Sequence, residues 1–223
     1  MNVSESIINI KKGIPDNVKL VAVSKTKPNQ MVQDAYNTGH RIFGENKAQD
    51  LAAKQPELPQ DIQWHFIGHL QTNKVKFIAP FVAMIEAVDS LKILKEINKQ
   101  AEKSGRVISC LFQFHIAEED TKFGLDMDEV KEILESGEYG KMENIKIAGV
   151  MGMATYTEDE DQVRREFRTL KNIYRELKIC YFAEDPDFSE ISMGMSGDYK
   201  IAIEEGSTMV RIGSLIFGER NYN

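Results

Sequence analysis

Residues 20–44 read LVAVSKTKPNQMVQDAYNTGHRIFG, with an apolar run near each end and a longer segment between the two runs. The first run, from Leu20 to Val23, is short and rich in valine, which is typical of a buried strand. Residues 29–38 have apolar side chains at helical spacing, and residues 41–44 form a second short apolar run. A strand, a helix and a second strand in this order predict a βαβ unit of a parallel sheet.

The same alternation continues along the chain. Strands are predicted at residues 20–24, 41–44, 63–67, 83–88, 108–115, 146–151, 190–193 and 209–212. Helices are predicted at residues 3–12, 29–38, 47–54, 73–78, 91–103, 127–136, 159–178 and 199–205. Eight strands joined by seven crossover helices, with a further helix in front, predict an α/β fold, a single (β/α)8 TIM barrel with an extra N-terminal helix. We expect one domain over residues 1–223, and an open doubly wound sheet is the alternative fold.

The composition limits the class of partner. The 223 residues include 35 acidic and 28 basic side chains and have a formal net charge of −7. Nucleic acids and anionic membranes attract clustered positive charge, so we expect neither as a partner. No apolar run approaches the roughly 20 residues that span a bilayer. The first residues do not resemble a signal peptide, and we therefore expect a cytoplasmic protein.

Cysteine and histidine usage gives no sign of a metal site. Cys110 and Cys180 fall in different predicted elements without metal-ligand spacing, so we expect both to be reduced, buried thiols. The four histidines are scattered over strands and loops without paired spacing. We expect no bound metal.

A lysine stands at the end of the first predicted strand. In an eightfold barrel the functional site lies at the carboxyl ends of the strands. Lys25 directly follows the predicted strand at residues 20–24 and precedes a Thr-Lys-Pro turn. Burial favours the neutral form of a lysine, and a neutral amine is the form that attacks an aldehyde. The position predicts a lysine that forms a Schiff base, and a solvated lysine at a strand end is the alternative.

Two loops of small residues follow the last two strands. Residues 192–198 read SMGMSGD, and residues 205–214 read EGSTMVRIGS. Backbone N–H groups and short hydroxyls in such loops bind phosphate, and this architecture often has a phosphate site after strands 7 and 8. The loops therefore predict a phosphate site, unless their glycines only make tight turns.

Seven stretches of the sequence match those of a known family. They are residues 22–28 (AVSKTKP), 43–46 (FGEN), 64–74 (WHFIGHLQTNK), 121–124 (TKFG), 152–155 (GMAT), 192–198 (SMGMSGD) and 210–213 (VRIG). With these motifs, spread over nearly the whole chain, the sequence resembles the pyridoxal phosphate homeostasis proteins, a family similar to the N-terminal barrel domain of alanine racemases. The resemblance implies the barrel fold of that domain, and it implies that the cofactor is pyridoxal 5′-phosphate.

The resemblance also implies which residues contact the reactive half of the cofactor. Lys25 would form the Schiff base, and Arg211 would face the pyridine nitrogen. Asn46 and Met193 would line the ring.

The phosphate contacts are implied in the same way. Ser196 would bind the phosphate together with the backbone of Gly213 and Ser214. The sequence departs from the family at Ser214, where threonine is common, and at residues 114–115, where Phe-His replaces the more usual Val-Asn. Either change alters the polarity of the pocket without removing a cofactor contact.

Such a site could belong to a carrier or to an enzyme. An arginine beside the pyridine nitrogen disfavours protonation of that nitrogen, and an unprotonated ring is a poorer electron sink. Racemisation also needs a second acid–base group on the opposite face. Alanine racemases take it from a second domain across a dimer. Ten residues follow Gly213 in this sequence, so we expect no such domain. Tyr156, Tyr199 and Tyr222 are the candidates to replace it.

Three functions remain. The preferred one is a non-catalytic pyridoxal phosphate-binding protein that buffers or delivers the cofactor in vitamin B6 homeostasis, with pyridoxal phosphate-dependent apoenzymes as recipients. The second is a compact pyridoxal phosphate-dependent amino-acid racemase. The third is a barrel that binds another phosphorylated metabolite without a covalent bond. Because no second domain is expected, we predict a monomer.

Overall fold

The computed structural model describes residues 2–118 and 124–219. Its strands form one closed barrel in the order β1 to β8, which confirms the predicted TIM barrel. The strands are β1 (Lys19–Val23), β2 (Ile42–Glu45), β3 (Gln63–Phe66), β4 (Met84–Val88), β5 (Ile108–Phe114), β6 (Ile145–Gly152), β7 (Glu190–Ser192) and β8 (Met209–Ile212). Each strand pairs in parallel with the next, and β1 closes the barrel against β8.

Helices separate the strands, as the sequence predicts. Those in the described part of the chain are α1 (Val3–Lys12), α2 (Asn29–Asn37), α3 (Ala48–Lys54), α4 (Thr72–Ile78), α5 (Leu91–Lys103), α6 (Met127–Glu135), α7 (Glu160–Cys180), α8 (Tyr199–Glu204) and α9 (Ser214–Phe217). Short 3-10 turns lie at Gln55–Glu57 and Tyr139–Lys141.

The side chains of the strands form two packing layers. Alternate residues of a strand point to opposite faces. One set forms a small apolar cluster inside the barrel, which includes Val21, Met84, Leu111, Met151 and Met209. The other set packs against the helices and forms the larger part of the core. Buried strands with two covered faces explain why the apolar runs in the sequence are continuous.

Polar side chains begin several helices at the positions that the strand-to-helix loops require. The Ser90 hydroxyl accepts a hydrogen bond from the Ile93 N–H at 3.3 Å at the start of α5. The Asp159 carboxylate accepts one from the Gln162 N–H at 3.1 Å at the start of α7. Each such cap typically stabilises a helix by about 1 kcal/mol, and it fixes where the preceding loop ends.

The structure differs from the sequence-based predictions in two places. Helix α9 was not predicted, because four residues are too few for a helical pattern, although Ile216 and Phe217 in it are buried. Cys110 is buried as expected, but Cys180 is exposed, so the prediction for Cys180 was wrong. Cys180 is the last residue of α7, three residues beyond Leu177, which is the last buried residue of this helix. The motif at residues 121–123 and Tyr222 lie outside the described residues.

Two kinds of feature are absent from the described residues. No helix within them is both long enough and apolar enough to span a membrane. Residues 2–118 and 124–219 contain no cluster of three or more histidine, cysteine or acidic side chains suited to a metal ion.

Candidate binding site at the mouth of the barrel

A cavity of about 700 Å3 opens where the carboxyl ends of the strands converge. This end of the barrel is where ligands bind in this architecture, and the volume falls within the range of about 300–1,000 Å3 typical of small-molecule sites. Six of the seven predicted site residues line the cavity, namely Lys25, Asn46, Ser196, Arg211, Gly213 and Ser214.

Met193 does not share this position. It is fully buried in the core between the strands and the helices. Its neighbour Ser192 points into the barrel, where it contacts Arg211, so strand alternation turns the Met193 side chain outward. The structure therefore does not bring the Met193 side chain to the cavity wall.

Lys25 lies at the cavity wall, two residues beyond the end of β1, and is partly exposed. A buried polar cluster fixes the backbone just before it. The Glu45 carboxylate accepts hydrogen bonds from the Ser24 hydroxyl at 2.7 Å and from the Lys54 ammonium at 2.6 Å. Lys54 also donates to the Ser24 carbonyl at 2.8 Å. Ser24 is thus held through both its side chain and its carbonyl, and this fixes the backbone position from which the Lys25 side chain extends.

The ends of β2 and β3 approach each other closely beside Lys25. A Cβ atom on Gly68 would lie 2.5 Å from the Asn46 carbonyl oxygen, so only glycine fits there. Beyond it, the His69 ring lines the cavity and makes a 2.7 Å contact from Nδ1 to the Asp89 carboxylate. His115, which departs from the family pattern, is exposed after β5 and is not among the described residues that line this cavity.

The two small-residue loops contact each other at the opposite wall. The Gly213 N–H donates to the Ser196 hydroxyl at 3.3 Å, and the Arg211 N–H donates to the Gly194 carbonyl at 2.9 Å. Gly194 has a φ of +96°, and a Cβ atom there would lie 2.5 Å from Ala202. Ser214 begins α9, where the first N–H groups of a helix have no partner within it. Hydroxyls and N–H groups are the kind of donor that can bind an anion.

Arg211 forms the floor of the cavity and is almost fully buried. Its Nη1 donates to the Ser192 hydroxyl at 2.6 Å, and its Nη2 donates to the Gly152 carbonyl at 3.0 Å. Ser192 in turn donates to Glu86 Oε2 at 2.6 Å, and Arg211 Nη1 lies 3.8 Å from the same oxygen. The other oxygen of Glu86 contacts His65 Nδ1 at 2.7 Å. The guanidinium is thereby held in one orientation.

The charges in this network stabilise one another. Burial alone would raise the pKa of Glu86, but the hydrogen bond and charge of His65 and the charge of Arg211 outweigh it, so the pKa lies below its usual value. Burial lowers the pKa of Arg211, and the charge of Glu86 opposes that shift. Glu86 is therefore a buried carboxylate anion in contact with His65, Ser192 and Arg211.

Sequence reasoning did not identify Glu86, although a signal was present. Strand β4 reads MIEAV, and all five of its residues are buried. A charged residue in a fully buried apolar strand needs a partner. That pattern identifies Glu86 as a residue that requires explanation, but it does not indicate the partner.

Comparisons with known proteins agree with this geometry. The family model described as alanine racemase, N-terminal domain, matches residues 2–221. The pyridoxal phosphate homeostasis protein of Aquifex aeolicus is 40% identical over 205 residues, which cover 92% of this chain and 88% of that protein. The human protein of the same name is 41% identical over 216 residues, covering 92% of this chain and 78% of that protein. This chain belongs to the pyridoxal phosphate homeostasis protein family.

Solved structures place the family within a broader fold. PipY of Synechococcus elongatus PCC7942, solved with PLP bound, is 30% identical with a TM-score of 0.85, and the match covers 97% of this chain and all of PipY. Alanine racemase of Bartonella henselae is 14% identical with a TM-score of 0.74, covering 98% of this chain and 63% of the racemase. The second likeness shows the shared barrel fold alone.

Proposed function

We propose that this chain binds pyridoxal 5′-phosphate through a Schiff base on Lys25 and acts as a non-catalytic carrier in vitamin B6 homeostasis. The observation that supports this most strongly is the meeting of three chemically different groups in one cavity. An amine, a buried guanidinium and a loop of hydroxyl and N–H donors come from Lys25, Arg211 and Ser196. The names of the relatives and the pyridoxal phosphate bound to PipY support the same cofactor.

These groups fit the parts of the cofactor. Strand β8 lies between β1 and β7, so Lys25, Arg211 and Ser196 lie near the carboxyl ends of three adjacent strands. The amine suits the aldehyde, the Ser196 hydroxyl and the N–H donors near Ser214 suit the phosphate, and the guanidinium suits the pyridine nitrogen. Asn46 lines the same cavity beside Lys25 and would contact the ring.

The surroundings of Arg211 favour a carrier over an enzyme. When bound, the cofactor supplies an aldehyde that reacts with amines and a ring that withdraws electrons. Because Glu86 holds Arg211 as an oriented cation, Arg211 opposes protonation of the ring nitrogen and weakens that electron sink. We further propose a monomer that supplies apoenzymes dependent on this cofactor.

The absorption spectrum of the purified protein with added pyridoxal phosphate tests the covalent bond. We expect a band in the violet region that borohydride reduction fixes to Lys25, located by peptide mass analysis. Lys25→Ala should abolish the band. Lys47→Ala removes an exposed lysine that does not line the cavity and should leave the band intact. A band that persists in Lys25→Ala would overturn the proposal.

One observation favours a racemase as the second candidate. Tyr156 lines the cavity rim and is 96% exposed, whereas Tyr199 packs against the core. If Tyr156 served as the second acid–base group, the protein would convert L-alanine into D-alanine, and Tyr156→Phe would stop the conversion. The carrier proposal expects no conversion above that of free pyridoxal phosphate.

A further inference from the structure

We propose that Glu86 is a positioning residue for the cofactor, which acts by holding the Arg211 guanidinium in the one orientation that meets the pyridine ring. This inference rests on the proposed function. It extends the site one layer deeper into the barrel, to a carboxylate on β4 that does not line the described cavity wall.

The first argument is electrostatic. Glu86 has no exposed surface and Arg211 retains 4% of its own, so neither charge is hydrated by bulk water. A buried charge without a counter-charge is strongly disfavoured. Glu86 Oε2 lies 3.8 Å from Arg211 Nη1. Among the described residues, Glu86 is therefore the acidic residue that forms an ion pair with this arginine. Without Glu86, the guanidinium would turn toward other acceptors or toward water in the cavity.

The second argument is geometric. Ser192 joins the two ions, because its hydroxyl accepts from Arg211 Nη1 at 2.6 Å and donates to Glu86 Oε2 at 2.6 Å. His65 binds the other carboxylate oxygen at 2.7 Å, so the carboxylate itself cannot rotate. A planar guanidinium fixed at both terminal nitrogens, by Ser192 and by the Gly152 carbonyl, presents one edge to the cavity.

The third argument is the position of the network. Its side chains come from β3, β4, β7 and β8, and one carbonyl comes from β6, so it crosses the interior of the barrel below the ligand cavity. An apolar cluster that includes Val21 and Met209 occupies the interior beneath it. Replacing buried ion pairs by apolar residues is often neutral or stabilising, so this network does not need to be ionic for the barrel to fold. The proposed role of the network is to orient Arg211.

The experiment compares cofactor binding in four single variants. The dissociation constant and absorption maximum of bound pyridoxal phosphate are measured for Glu86→Gln, Ser192→Ala, Arg211→Met and the control Glu190→Gln. Like Glu86, Glu190 is a buried acid with a basic partner. That partner is Lys19, and the pair lies at the opposite end of the barrel. We expect Glu86→Gln to weaken binding about tenfold or more and to shift the absorption maximum. We expect Glu190→Gln to stay within about twofold of wild type.

A double variant separates positioning from general damage. If Glu86 acts through Arg211, adding Glu86→Gln to Arg211→Met should cause no further loss of affinity. A full additional loss in the double variant, or wild-type affinity in Glu86→Gln, would overturn the inference.

Further measurements distinguish a variant that does not fold from a failure of the proposed function. Thermal unfolding of the cofactor-free variants shows whether each one folds. Should Glu86→Gln not fold, Ser192→Ala keeps both charges and removes only the bridge between them. We then expect a roughly threefold or larger loss of affinity and the same direction of spectral shift, and no change would overturn the inference. Absence of any band in the wild type would instead overturn the proposed function.

Discussion

Thr26, directly after Lys25, has a left-handed backbone with a φ of +64°. For a β-branched residue this conformation is disfavoured by about 1–2 kcal/mol, whereas asparagine adopts it readily. We expect Thr26→Asn to raise the free energy of unfolding by about 0.5–1 kcal/mol, as measured by urea denaturation. Thr26→Val keeps the branched side chain and should be no more stable than wild type. If Thr26→Asn is not more stable either, the turn after Lys25 is not left-handed in solution.

Lys54 provides a second test beside the same lysine. Its ammonium neutralises Glu45, which is fully buried behind the end of β1. Lys54→Met would leave that carboxylate without a counter-charge, so we expect a loss of about 3–5 kcal/mol in the free energy of unfolding. Lys54→Arg keeps the charge and should lose much less. Equal stability of Lys54→Met and wild type in chemical denaturation would contradict this role of Lys54.

Single residues differ in how well the sequence predicts their role. Lys25 and Arg211 were predicted at the mouth of the barrel because each follows or ends an apolar strand, and the structure places both there. The role of Glu86 was not predicted, because its partner Ser192 is 106 residues away and local patterns contain no information on that contact. The predicted cofactor contacts of these residues remain predictions until the variants are measured.

At the scale of elements, the loop between β7 and α8 depends on one glycine. A Cβ atom on Gly194 would clash with Ala202 at 2.5 Å, and the φ of +96° is unfavourable for alanine. Because the Gly194 carbonyl accepts from the Arg211 N–H, a shift here would move the wall that holds Ser196 and Gly213. We expect Gly194→Ala to weaken binding of pyridoxal phosphate by about tenfold, measured by titration.

A glycine outside the cavity provides the control. Gly137 is exposed, is not among the described residues that line the cavity, and a Cβ atom there would meet nothing within 4 Å. We expect Gly137→Ala to bind with an affinity close to that of wild type. Similar losses in both variants would indicate that the loss in Gly194→Ala does not come from the conformation of the loop.

Whether an element could be predicted from the sequence depended on its length and on its burial. All eight strands were found because each is a continuous buried run bounded by polar or turn residues. Helix α9 was not found, because it has only four residues and its place follows from the β8 strand end and the packing of Ile216 and Phe217. Its first residue, Ser214, lines the cavity, so the short helix that local patterns did not predict contributes to the proposed phosphate wall.

At the scale of the whole molecule, closure of the barrel brings distant parts of the chain together at the site. Strand β1 pairs with β8 in the register Val21 to Arg211, so residues near both ends of the chain share one cavity. A pattern of eight strand-helix repeats favours this closure over an open sheet. The polar network inside the barrel is not predictable in this way, because it depends on which inward positions meet across the interior.

The stability of the molecule in mild acid should depend on a histidine at the other end of the barrel. His40 is 4% exposed, and its Nε2–H donates to the Ile42 carbonyl at 2.7 Å. Burial, together with the nearby charges of Lys11 and Arg41, lowers the pKa of His40 to about 4. Between the usual histidine pKa of about 6.5 and this value, the unfolded chain binds a proton that the folded protein does not. Stability should therefore fall as the pH decreases through this window.

The loss of unfolding free energy reaches roughly 3 kcal/mol as the pH falls to the His40 pKa of about 4. We expect His40→Gln, whose amide can still donate to Ile42, to show a flatter dependence of unfolding free energy on pH between 6.5 and 4. His115→Gln changes an exposed histidine and should follow wild type. Glu86 acts in a lower window, since its depressed pKa means that its contribution is lost only below the ordinary range of a carboxylate. If wild type and His40→Gln have the same slope above pH 4.5, His40 is not the group that destabilises the barrel in mild acid.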